Sequence, residues 1–134
     1  MRFSVITPSY NQLDWLELCI ASVADQTGVE FIEHIVCDAG SEGIGEFKRR
    51  MLTRFPETPR YRLEFMVGPD VGMYDAINKG LRRATGEVCS YLNSDEQFLP
   101  ESLTAVGDFL KKHPATDVVF GDTIVVGRVG EPLC

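Results

Sequence analysis

The stretch Val88-Cys89-Ser90-Tyr91-Leu92-Asn93-Ser94-Asp95-Glu96 is a short apolar run that ends in a burst of hydrogen-bond acceptors. Val88, Cys89, Tyr91 and Leu92 read as a buried strand, because a strand covered on both faces shows a near-continuous apolar run rather than strict alternation. Asn93, Ser94 and Asp95 then stand at its carboxyl end. In open α/β sheets ligands bind at that edge, near the point where strand order reverses. A carboxylate placed there suits a hard divalent cation, Mn2+ or Mg2+, and through it a phosphate. Taken alone, Asn-Ser-Asp-Glu is equally what a polar loop ahead of a helix looks like.

The other strand ends carry related chemistry. Thr7-Pro8-Ser9-Tyr10-Asn11 follows one apolar run, Asp38 a second and Asp70 a third. A buried carboxylate such as Asp38 can accept from an imide N–H, which uracil, thymine and (with its amino group) guanine all offer. Tyr10 can lie against a base face, and main chain near Thr7 and Pro8 can bond the base edge. Asp95 can ligate an ion that also holds two phosphate oxygens, while Asn93 and Ser94 can meet ribose or sugar hydroxyls. The set describes a nucleoside diphosphate lying across one crevice.

The elements that must position these groups follow from periodicity. Phe3 to Pro8 reads as a strand, and Asn11 as the N-cap of a helix that runs to about Gln26 on Leu13, Leu16, Ile20 and Val23. Phe31 to Cys37 is a second strand, and a helix through Phe47, Met51 and Phe55 ends before Pro56. Arg62 to Val67 is a third strand, closed by Gly68-Pro69-Asp70. Gly72-Met73-Tyr74-Asp75 opens a helix with Tyr74, Ile77, Leu81 and Ala84 as its apolar stripe, and Ala76 and Gly80 permit close packing on a sheet. The Val88 strand comes next, then a helix with Pro100 in its first turn and Leu103, Val106 and Leu110 inward. Asp117 to Gly121 and Thr123 to Val126 read as two further short strands. Alternating strand and helix predict one domain over 1–134, a three-layer α/β/α sandwich with a mainly parallel, Rossmann-like sheet.

Composition narrows the function. The chain has 134 residues, 44% hydrophobic and 25% charged, enough for one real core. A net charge of −7 argues against nucleic acid or an anionic membrane surface as the main partner. There is no long apolar span and no signal-peptide architecture, so the expectation is a cytoplasmic protein without a transmembrane segment. Cys19, Cys37, Cys89 and Cys134 lack paired ligand spacing, and the first three sit in apolar runs as buried thiols. His34 and His113 have no ligand-like neighbours.

Four segments occur in a familiar order and spacing: Thr7-Pro8-Ser9-Tyr10-Asn11, Asp38-Ala39-Gly40-Ser41, Gly72-Met73-Tyr74-Asp75-Ala76-Ile77-Asn78-Lys79-Gly80 and Leu92-Asn93-Ser94-Asp95-Glu96. As a set they resemble the inverting, family 2-like glycosyltransferases of GT-A fold, over nearly the whole chain. Asp117-Val118-Val119-Phe120-Gly121-Asp122 also resembles a later strand of the subgroup that carries the Gly-Met-Tyr-Asp segment. The resemblance implies a nucleotide-sugar donor, a UDP-sugar ahead of dTDP- or GDP-sugars. It implies nucleotide contacts at Thr7, Pro8, Tyr10, Asn11, Asp38, Asp70, Asn93 and Ser94, a donor pocket shaped by Gly72, Tyr74 and Asn78, and a divalent metal on Asp95. Asn93 stands where the family's metal motif usually begins with Asp and would serve as a neutral hydrogen-bonding group. Ser41-Glu42-Gly43 replaces the usual Ser-Thr-Asp.

Family members also carry a second half that binds the acceptor and supplies an Asp or Glu general base. No such half is evident after Gly121, and Glu96 and Asp122 are base candidates only by being acidic. The reading is therefore a donor-binding half with an unknown acceptor and unknown base. The alternative is a non-catalytic nucleotide-sugar-binding or scaffolding domain. A missing acceptor half would leave apolar surface open and favour a homo-oligomer. A phosphoacceptor receiver domain wants an acidic pair after the first strand, where this chain has Thr-Pro-Ser-Tyr.

Overall fold

The computed structural model describes residues 1–127 and 130–133. Four strands and four helices alternate: β1 (Arg2–Ser9), α1 (Leu13–Ala24), β2 (Phe31–Asp38), α2 (Ile44–Arg54), β3 (Tyr61–Val67), α3 (Met73–Arg83), β4 (Val88–Tyr91) and α4 (Ser102–Lys112). The sheet order is β3-β2-β1-β4, and every pairing is parallel. The chain steps outward from β1 to β3, then returns through α3 to place β4 on the other side of β1. The strand order therefore reverses between β1 and β4.

Two cores hold the layers together. On one face, Phe3, Val5, Ile32 and Val36 pack with Leu16, Cys19, Ile20 and Val23 of α1, Phe47 and Met51 of α2, and Leu103 of α4. On the other face, Ile6, Ile35 and Cys37 meet Ala76 of α3. The close approach expected of Gly80 is real. A Cβ there would lie 2.5 Å from Ile6 Cγ2, so any larger residue pushes α3 off the sheet.

A buried carboxylate fixes the entry to β4. Glu33, in the middle of β2, accepts from Ser4 Oγ at 2.6 Å and from the Thr85 backbone N–H at 2.8 Å, and it pairs with Arg62. Burial alone would raise its pKa; the bonds from Ser4, Thr85 and Arg62 outweigh that and hold it below the usual carboxylate range. Ser4 Oγ in turn accepts from the Gly86 N–H at 2.8 Å, so the α3–β4 connection is tied to the sheet.

Several local expectations are corrected. Asn11 is not the α1 cap: it sits at φ 52°, and the helix starts two residues later, with Gln12 preceding it. Pro100 lies ahead of Glu101, which precedes α4, rather than in its first turn. Tyr74 and Leu81 do not join the apolar stripe of α3 but are exposed. Cys89 and Tyr91 of β4 are exposed as well, because β4 is an edge strand and α3 packs over β1 and β2. Cys19 and Cys37 are buried thiols as expected, and Cys134 lies outside the described residues. Residues 117–126 form no strand: among the described residues they have no ladder partner beyond one bridge between Val126 and Pro132, and Val118, Phe120 and Ile124 are exposed. No helix among the described residues is long and apolar enough to cross a membrane.

Candidate functional site

At the carboxyl ends of the strands lies a cleft of about 670 Å³. Its walls come from Pro8, Ser9 and Tyr10 after β1, Ala39 after β2, Pro69 and Asp70 after β3, Met73 and Ala76 of α3, and Asn93, Ser94 and Asp95 after β4. It spans the point of strand-order reversal, where open parallel sheets place their ligands.

Distance along β1 from its carboxyl end decides which groups reach the cleft. Thr7 is fully buried and points beneath it, its hydroxyl 2.9 Å from His34 Nε2 and 3.6 Å from Cys19 Sγ. Tyr10 sits at the rim, 61% exposed, an aromatic face available to a planar ligand. Between them, the Ser9 hydroxyl is buried at the cleft wall without a hydrogen-bond partner. Asn93 presents a second such atom, its buried carboxamide oxygen. Buried polar atoms are nearly always paired in a folded chain, so two orphans on one cleft wall mark places for a ligand or water to bond.

The loop after β2 is braced from within. Asp38 is 1% exposed, and its Oδ1 accepts from the N–H groups of Gly40 at 2.9 Å and Ser41 at 2.7 Å. Its Oδ2 accepts from Ser41 Oγ at 2.7 Å. That hydroxyl accepts in turn from the Asn11 N–H at 2.7 Å, and Asn11 Oδ1 accepts from the Glu42 N–H. Asn11 thus ties the first loop to the second and lines a separate hollow with Tyr10, Asp14 and Glu42. Ser41 and the Glu42 N–H keep this loop closed without the expected Thr-Asp pair.

After β3, Asp70 accepts from the Gly72 N–H at 3.0 Å, and Gly72 adopts φ 127°, a left-handed value that favours glycine. Lys79 is committed to this loop, with its Nζ 2.7 Å from Asp75 Oδ2 and 2.9 Å from the Pro69 carbonyl. The Lys79 bond, with help from the Val71 N–H, holds the Asp75 carboxyl below its ordinary range. Gly72 lines the cleft; Tyr74 and Asn78 are exposed on α3 and do not.

After β4, the Ser94 hydroxyl donates to Gln12 Oε1 at 2.5 Å, fastening this loop to the first. The Asn93 N–H donates to Glu96 Oε2 at 3.0 Å, which holds Glu96 in its own turn. Asp95 is exposed and lines the cleft. Among the described residues no group of three or more His, Cys, Asp or Glu could hold a metal ion by itself. The donor present, the single exposed carboxylate of Asp95, fits an ion of the Mg2+ or Mn2+ type that takes its other ligands from a substrate. Such ions are often bound by one or two carboxylates together with a substrate's phosphate oxygens.

The sequence-predicted residues Pro8, Tyr10, Asp70, Gly72, Asn93, Ser94 and Asp95 thus meet in one cleft. Thr7 and Asp38 lie behind its wall. Ser9, Gln12, Ala39, Pro69, Met73 and Ala76 line the cleft as well but were not expected site residues; all except Gln12 stood in segments already singled out.

The family model for glycosyl transferase family 2 matches residues 4–130. The chain belongs to that family. It is 32% identical over 124 residues to a PGL/p-HBAD biosynthesis glycosyltransferase of Mycobacterium tuberculosis, covering 92% of this chain and 47% of that protein. An uncharacterized glycosyltransferase of the same species is 38% identical over 135 residues, covering 97% and 49%. The family 2 chain thus spans about half the length of the curated relatives it matches. Among solved structures, the mannosyltransferase PcManGT from Pyrobaculum calidifontis in complex with GDP-Man and Mn2+ superposes with a TM-score of 0.73 at 24% identity, over 93% of this chain and 35% of that one. S. aureus TarS 1-349 in complex with UDP gives 0.69 at 23%, over 85% and 33%. These likenesses establish the GT-A-type α/β fold.

Proposed function

We propose that this family 2 chain is the donor-binding part of an inverting glycosyltransferase that takes a nucleotide-diphosphate sugar, a UDP-sugar first. One observation carries the reading: strand ends on both sides of the reversal point bring an aromatic face and two carboxylates to a single cleft, with two unpartnered polar atoms buried in its wall. The nucleotides held by two structural neighbours support it.

In this reading Tyr10 lies against the base, and Ser9 Oγ and Asn93 Oδ1 bond hydroxyl or N–H groups of the donor. Asp95 would hold a divalent cation, which when bound neutralises charge on the diphosphate leaving group. Asp38 and Ser41 keep the loops in place. Inversion needs a base for the acceptor hydroxyl. Glu96 is held by the Asn93 N–H, and neither it nor Asp122 lines the cleft, so neither is placed to act as the base.

Calorimetry of UDP with and without Mn2+ tests the reading. Asp95→Ala is expected to abolish the metal-dependent part of binding; affinity unchanged by either the substitution or the ion refutes it. A second reading, a nucleotide-sugar-binding domain without turnover, draws on the same absence of a base from the cleft. Donor hydrolysis or sugar transfer by this chain would count against it.

A further inference from the structure

We propose that Asp70, rather than Asp38, is the residue that reads the nucleobase, by accepting the ring imide N–H of uracil or thymine. This rests on the donor-site reading above and adds the residue that sets base preference.

The two carboxylates differ in what they have left to offer. Asp38 is buried behind Ala39, outside the cleft lining, and its oxygens already accept three bonds from its own turn. Its work is to shape that turn. Asp70 lines the cleft and is half-buried; its Oδ1 accepts from the Gly72 N–H, and its Oδ2 has no hydrogen bond among the described residues. The carboxylate is therefore held in place by one oxygen and free at the other.

Position along the sheet agrees. Asp95 follows β4 and Asp70 follows β3, at opposite edges of the order β3-β2-β1-β4. Three interstrand steps of about 4.8 Å separate these strands, roughly 14 Å. A nucleoside diphosphate with its phosphates at Asp95 extends along the cleft toward β3, so that a base lying against Tyr10 turns its edge to the β3 side. There Pro69, Met73 and Ala76 provide apolar surface for the ring, and Asp70 stands at the edge of that surface.

The chemistry then selects. An ionised carboxylate only accepts, so it pairs with the N3–H of uracil or thymine and repels the N3 lone pair of cytosine. A single free oxygen matches a single imide donor better than the paired N–H edge of guanine. In Asp70→Asn the carboxamide oxygen can keep the Gly72 bond while its NH2 faces the base. That NH2 opposes the uracil N3–H and complements the cytosine N3.

The test is calorimetry of UDP and CDP in Mn2+ with the wild-type chain, Asp70→Asn and Asp38→Asn, each checked for thermal midpoint. The wild type is expected to prefer UDP. Asp70→Asn should weaken UDP by about 10- to 100-fold, the range of a hydrogen bond to a charged group, and shift preference toward CDP with little change in midpoint. Asp38→Asn should lower the midpoint yet keep the UDP preference; if it does not fold, Ser41→Ala, which removes one of the Asp38 bonds, takes its place. Undiminished UDP preference in Asp70→Asn overturns the assignment, as does its loss in a folded Asp38 or Ser41 variant. A wild-type chain that binds no nucleotide overturns the donor-site reading itself.

Discussion

His34 makes the stability of this protein fall in mild acid. It lies fully buried under the cleft, with Nε2 2.9 Å from Thr7 Oγ1 and Nδ1 3.4 Å from the Tyr61 hydroxyl. Burial pushes its pKa down to about 3 from an ordinary 6.5. The folded imidazole stays neutral where the unfolded one takes up a proton, so stability is lost as pH drops below 6.5. The loss follows from the two values: about 2 kcal/mol at pH 5, with a local slope near ~1.4 kcal/mol per pH unit, and about 5 kcal/mol once pH is below 3. Its neighbours do not obscure this. Burial raises the Tyr61 hydroxyl and lifts the Cys19 thiol to about 11, so both stay neutral throughout. Glu33 has a lowered folded pKa, and its contribution is lost only as pH falls below the ordinary carboxylate value of 4.5. Urea unfolding at pH 7, 6 and 5, followed by far-UV circular dichroism and by the fluorescence of the single tryptophan, Trp15, reads the slope. His34→Gln, which can still bond Thr7, should flatten it. A flat wild-type profile over this range, or an equal slope in the variant, refutes the argument.

Other outcomes follow from the packing. Glu33→Ala leaves Arg62 without its partner and releases the Thr85 and Ser4 bonds, and should cost about 3–5 kcal/mol in denaturant unfolding. Gly80→Ala forces Ile6 or α3 to move and should cost about 1–3 kcal/mol, with any loss of UDP affinity following from the displaced α3. In native protein a thiol reagent should modify Cys89 rapidly and reach Cys19 and Cys37 only on unfolding; rapid labelling of either buried thiol would contradict the observed packing.

Sequence reasoning went furthest where one residue's own periodicity carried the information. The near-continuous apolar runs of β1 and β2 announced covered strands, and the small residues Ala76 and Gly80 announced a helix pressed on a sheet. It went wrong where neighbours decide. Cys89 and Tyr91 look as apolar as Ile6 and Ile35, yet an edge strand leaves them open. Residues 117–126 have strand composition but no adjacent strand to pair with. The same distinction holds at the cleft. Which loops meet was legible from the turn residues that close each strand. That Thr7 would point toward His34 and that Ser94 would reach Gln12 are contacts of three-dimensional neighbours, and no spacing encodes them, whereas the bonds from Gly40 and Ser41 to Asp38 are local Asx-turn chemistry.

The Ser41 hydroxyl is shared property. It accepts a hydrogen bond from one loop's amide and donates one to the other loop's carboxylate, so neither loop owns its shape. An engineer who replaces Asn11 in the segment after β1 keeps the backbone bond to Ser41 but loses the carboxamide bond to Glu42, and so loosens both loops at once. The two loops form one structural module, to which Ser94 fastens the β4 end through Gln12, while the β3 end stands outside it.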